Sequence, residues 1–121
     1  MSSIRERLEE VLHELRHHGG VEASAVVSRD GLLMASDIPP SVQAETFAAV
    51  AATMVGSSEI VVHELHRGKH ARIIVEAKDG NIVAMGAGPM AILVAMTGPT
   101  FALGLILVEM NRATEKIKAL L

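Results

Sequence analysis

An α+β fold, built on a five-stranded and mostly antiparallel sheet with helices on both faces, is the architecture this sequence predicts, and three features predict it. Two Asp-Gly turns, Arg29-Asp30-Gly31 and Lys78-Asp79-Gly80, each sit between short apolar runs, which is the pattern of tight β-hairpins. Three longer segments repeat apolar residues at helical spacing. The chain has 121 residues and is 50% hydrophobic, which suits one core covered on both sides of a sheet. Residues 1–121 are therefore expected to form one domain.

The first helix follows from a cap at Ser2 or Ser3, with Ser3 and Glu6 at capping-box spacing and Ile4, Leu8, Val11, Leu12 and Leu15 in one stripe. Gly19 and Gly20 end it. Val21 to Ser28 reads as a strand, and Leu32 to Ser36 as its partner across the first turn. Pro39 and Pro40 close that unit, after which Ser41 is a candidate cap for a second helix from Val42 to about Leu65. Arg67-Gly68-Lys69 stops this helix.

Ala71 to Ala77 and Asn81 to Ala87 form the second hairpin, Gly88-Pro89 turns the chain again, and Ala91 to Thr97 supplies a fifth strand. Gly98-Pro99 precedes a third helix with Leu103, Ile106, Met110, Ala113, Ile117 and Leu120 on one side. The predicted order is α-β-β-α-β-β-β-α. The short connections make β1/β2, β3/β4 and β4/β5 antiparallel. Helices on both faces allow a strand such as Ala91-Ile92-Leu93-Val94-Ala95-Met96 to be apolar on both sides.

Composition removes several classes of function. Eleven Lys and Arg against fourteen Asp and Glu give a net charge of -3, with no basic block to neutralise a run of phosphates. Phe47 and Phe101 are the only aromatic residues, so bases find no stacking platform, and nucleic acid is excluded as a partner. The absence of Cys removes disulfides, thiolate metal sites and a cysteine nucleophile, and makes the cytoplasm the expected compartment. Met1 to Leu15 alternates charge with apolar residues, unlike a secretory signal. Gly80 to Val108 carries no charge, but Gly86, Gly88, Pro89, Gly98 and Pro99 cut it into strand-length runs, so no membrane insertion is expected.

Two histidine groups invite a metal reading. His13-Glu14-Leu15-Arg16-His17 is a literal H-E-x-x-H, which in zinc proteases supplies two imidazole ligands and a general base. At about 100° per residue, His13 and His17 point away from the apolar stripe of that helix, toward water. A metal-dependent hydrolase is therefore kept only as the third reading. His63-Glu64-Leu65-His66, with His70, falls where the second helix ends and lacks the second His of the motif. No Ser lies in G-x-S-x-G and no glycine run matches G-x-x-x-x-G-K-[ST], so the chain is neither a serine hydrolase of that type nor itself a GTPase. No catalytic residue, cofactor or resident metal is assigned.

The second helix is apolar on two sides. On a wheel, Phe47, Val50, Ala51, Met54 and Val61 fall on one side, and Ala49, Ala52, Thr53 and Gly56 on the other. A solvent-facing side ordinarily carries charge, and Gly56 costs a surface helix about 1 kcal/mol relative to Ala. A strip of small residues there predicts close approach by another helix.

The element order, together with Gly20-Val21-Glu22-Ala23-Ser24-Ala25-Val26-Val27-Ser28-Arg29-Asp30-Gly31-Leu32 and the Asp79-Gly80 hairpin leading into Leu105-Ile106-Leu107, resembles the roadblock family. These are the dynein-light-chain relatives of the longin and profilin-like folds, and the resemblance covers nearly the whole chain. It implies a small, non-catalytic dimer that binds and regulates a Ras-like small GTPase, as in the bacterial gliding-motility regulators of MglB type. The second reading is a structural scaffold subunit without nucleotide sensing. The resemblance implies also that a homodimer pairs through the second helix, at Ala49, Ala52, Thr53, Gly56 and Ile60, and through the third strand, at Arg72, Ile73, Ile74, Val75 and Glu76.

Overall fold

The computed structural model describes residues 2–99 and 102–121, so Phe101 lies outside the described residues. The elements are α1 (Ile4–Gly19), β1 (Ala23–Ser28), β2 (Leu33–Asp37), α2 (Ala44–Glu64), β3 (Ile73–Ala77), β4 (Gly80–Gly86), β5 (Ala91–Thr97) and α3 (Leu103–Leu120), in the predicted order. Ser3 is the cap of α1: its hydroxyl accepts from the Glu6 N–H at 3.1 Å while the Glu6 carboxylate accepts from the Ser3 N–H.

The sheet runs β2-β1-β5-β4-β3, and each neighbouring pair is antiparallel. Sequence reasoning paired the hairpins but left the joint between them open; β1 and β5 make it, with Val26 opposite Leu93. β1 thus lies between two strands. Alternation along the strands then separates two cores. On one face α1 and α3 bury Leu8, Leu12, Ile106, Met110 and Ile117 over Val26, Val83 and Leu93. On the other, α2 lays Ala48, Ala51 and Val55 on Ala25, Val27, Ala84, Ile92 and Val94.

Several predicted bounds move. The N-cap of α2 is Gln43, not Ser41, and its side chain makes no capping bond. The Val42 N–H closes a turn onto the Pro39 carbonyl first, which delays the helix. Ala71 and Arg72 stand before β3 because its pairing with β4 begins only at Ile73 and Ala84. As far as Pro99, the uncharged stretch from Gly80 consists of β4, a turn and β5. Among the described residues the helix long and apolar enough to cross a bilayer, by length and composition alone, is α2, and it lies against the sheet.

The second hairpin depends on Gly80, whose φ of 156° is reserved for glycine and whose missing Cβ would collide with the Thr97 carbonyl oxygen of β5. Backbone cannot move aside as a side chain does. Gly80→Ala is expected to destabilise the protein by roughly 3 kcal/mol in urea denaturation.

Candidate interaction surface

α2 buries a narrow face. Ala48, Ala51 and Val55 are covered, Phe47 and Ala52 are half-buried against the same cluster, and the small side chains let the helix lie close to the sheet. The two-sided reading of this helix was right about its apolar character and wrong about its orientation. Val50 and Val61, assigned to the core side, are 47% and 55% exposed, and Ala52, assigned to the outer side, packs on the core. With apolar residues all round, the wheel has no polar face to fix its rotation.

Ala49, Thr53 and Ile60 do lie on the outside, in one row with half-buried Gly56. The Thr53 hydroxyl donates to the Ala49 carbonyl at 2.9 Å and that of Ser58 to Met54 at 2.7 Å, so neither requires an external partner. Val50, Ile60, Val61 and Leu65 continue the exposed apolar surface along the helix. Beside it runs the open edge of the sheet. β3 pairs only with β4, leaving one side of its backbone free of strand partners. Ile73 and Ile74 are half-buried on opposite faces, Val75 is exposed on the α2 face, and Glu76 is exposed. Arg72 is exposed just before the strand, so it is a flanking residue and not a strand residue as predicted. A shallow groove of about 360 Å³, lined by Ser57, Val61, Val62, Arg72 and Ile73, joins helix to edge.

Near the end of α2 a cluster that sequence spacing could not reveal ties two turns to the helix. Arg29, in the β1–β2 turn, donates to both carboxylate oxygens of Glu59 at 2.8 and 2.9 Å and to the Gly88 carbonyl at 2.9 Å. A bidentate arginine pair of this kind fixes orientation as well as charge. Gly86 makes room for it, since a Cβ there would lie 2.7 Å from the Arg29 guanidinium. The partners are 30 and 59 residues apart in sequence, and no local pattern signals them.

α2 ends at Glu64 with Leu65 as its C-cap, and the next residue, His66, has a φ of 53°. The His66 N–H reaches the His63 carbonyl and the Arg67 N–H the Val62 carbonyl, a Schellman ending with histidine where glycine is usual. His66→Gly is expected to stabilise the protein by about 0.5–1 kcal/mol, read as a higher urea midpoint with unchanged slope.

The H-E-x-x-H residues on α1 do not assemble a zinc-protease centre. His13 and His17 are exposed, with ring centroids 5.6 Å apart, and no group of three or more potential metal-ligating side chains occurs among the described residues. Glu14 is held by the Lys116 ammonium at 2.6 Å, and that hydrogen bond and charge lower its pKa. It is a weaker base than an ordinary glutamate.

Against known proteins, the Roadblock/LC7 domain model matches residues 7–97. Three uncharacterised proteins of Methanocaldococcus jannaschii are 39%, 38% and 36% identical over 93%, 93% and 97% of this chain, and the match spans 98% of each. Among solved structures, MglB of Myxococcus xanthus superposes with a TM-score of 0.90 at 14% identity, over 100% of this chain and 95% of that one. The gliding protein MglB of Thermus thermophilus gives 0.87 at 20%, over 99% and 92%. Profilin II of Acanthamoeba castellanii gives 0.59 at 14%, over 90% and 94%, in keeping with the profilin-like fold class. With nearly its whole length matched by relatives and three-quarters by the family model, the chain belongs to the Roadblock/LC7 domain family.

Proposed function

We propose that the protein is a cytoplasmic, non-catalytic adaptor that pairs with a second copy of itself through α2 and β3 and, as a homodimer, binds a Ras-like small GTPase. The observation that carries this reading is the outer face of α2. Ile60 and Leu65 are 65% and 62% exposed, and with Val50 and Val61 they continue toward Val75 at the free sheet edge. Soluble monomers seldom leave a contiguous apolar patch uncovered. An antiparallel edge beside it offers backbone donors and acceptors for a second β3, so that helix packing and strand pairing bury one patch together. Ala49, Thr53 and Gly56 are small enough for two helices to approach closely at a twofold axis.

The GTPase follows from family membership joined to the lack of an assembled catalytic set among the described residues. Its test is a pull-down of the purified protein with candidate Ras-like GTPases loaded with GDP or with a non-hydrolysable GTP analogue. A regulator retains one nucleotide state in preference to the other. Equal retention of both states supports the scaffold reading, and retention of neither overturns GTPase binding for the candidates tried.

A further inference from the structure

We propose that a cleft at the corner of the sheet, beside the α2–β3 surface and sharing His70 and Arg72 with it, is a binding site for a small multivalent anion of the phosphate class. β4 runs beyond the start of β3: Ala84 pairs with Ile73, whereas Met85 and Gly86 pair only with β5. The segment from Gly68 to Arg72 therefore passes the end of β4 without joining it. An open cleft of about 750 Å³ lies between this segment, the β4–β5 turn, the end of α2 and one side of α3. That size is within the range of small-molecule sites.

Its charge is opposite to that of the chain. Arg29, Lys69, Arg72 and Lys118 line it against Glu59 and Glu115 alone, a surplus of two positive charges on a protein whose net charge is -3. Both acids are engaged, Glu59 by Arg29 and Glu115 by Lys118 at 3.1 Å. Lys69 and Arg72 have no acidic partner among the described residues. The Arg29 guanidinium is fixed in place by Glu59 and Gly88, and its Nε–H has no acceptor among the described residues. A cation held rigid before the ligand arrives loses little freedom on binding. His63 and His70 add further donors to the wall.

No Phe, Tyr or Trp side chain lines the cleft among the described residues. The ligand chemistry that fits is oxyanion charge, met by guanidinium and ammonium groups converging from three parts of the chain.

Calorimetric titration of the wild-type protein with tripolyphosphate at low salt tests the site. Saturable binding at one site per chain is expected. The double variant Lys69→Ala with Lys118→Ala should weaken it about tenfold or more, as the loss of charge-assisted contacts requires. Arg5→Ala, on the exposed face of α1, should leave it unchanged. Arg72 is spared because it also flanks the strand proposed to pair in the dimer, so failure of this site and failure of the dimer are told apart. If the double variant does not give the wild-type circular dichroism spectrum, Lys69→Ala alone takes its place, with the same direction of effect expected. Absence of saturable binding to the wild type overturns the proposal. So does equal weakening by Arg5→Ala, which would reduce the effect to diffuse net charge.

Discussion

Val26→Asp is expected to abolish the folded state. Val26 is fully buried on β1, with Ala35 of β2 on one side and Leu93 of β5 on the other, under the α1–α3 layer. The buried polar side chains among the described residues are Ser24, Thr97 and Thr114, and none is a cation. An ionised carboxylate there, or the protonation needed to avoid it, costs several kcal/mol. Domains of this size are stable by only about 5–15 kcal/mol, so a loss of that order removes most or all of the margin. Loss of the cooperative urea transition and of the native circular dichroism spectrum is the predicted result. A variant that keeps both would show that β1 is not an interior strand.

Gly56→Leu should separate the dimer from the protomer. A Cβ at Gly56 meets nothing within 4 Å, so the larger side chain fits the isolated protomer. Leucine is a better helix former than glycine by nearly 1 kcal/mol, and the protomer should be as stable as before or more so. A helix of the second copy packed on Gly56 has no room for it. Each substitution is repeated across a twofold axis, which doubles the clash. Ile60→Glu, on the same row and 65% exposed, should break the pair by placing a charge in the contact while leaving the protomer folded. Both variants are expected to shift the molecule from dimer to monomer in light scattering at micromolar concentration. Ala52→Glu is a poorer probe, because Ala52 packs on the core and a fold defect would mimic dissociation. Retention of the dimer by both Gly56→Leu and Ile60→Glu would remove α2 from the interface.

Much of the architecture was legible because its punctuation is local. Asp30-Gly31 and Asp79-Gly80 fix two hairpins, the Ser3 to Glu6 spacing fixes the start of α1, and the β5 segment is apolar at successive positions because it is covered on both faces. What was not legible depends on contacts distant in sequence. The β1–β5 joint is set by packing, and nothing in either strand names the other. The rotation of α2 could not be read because Ala, Val and Met surround it, and the sheet beneath selects Ala48, Ala51 and Val55. Ser41 had the side chain of a cap, yet the turn from Pro39 to Val42 places the helix start two residues later than expected, with Gln43 as the cap. The Arg29–Glu59–Gly88 cluster unites residues from two turns and a helix and is visible only once the fold brings them together.

The central claim is that the uncovered face of α2 and the free edge of β3 are covered by a second copy of the chain. Its most direct test is the molar mass of the wild-type protein by size-exclusion chromatography with light scattering at micromolar concentration. Twice the 12.8 kDa of one chain is the predicted result, and a stable, homogeneous species of 12.8 kDa would contradict it.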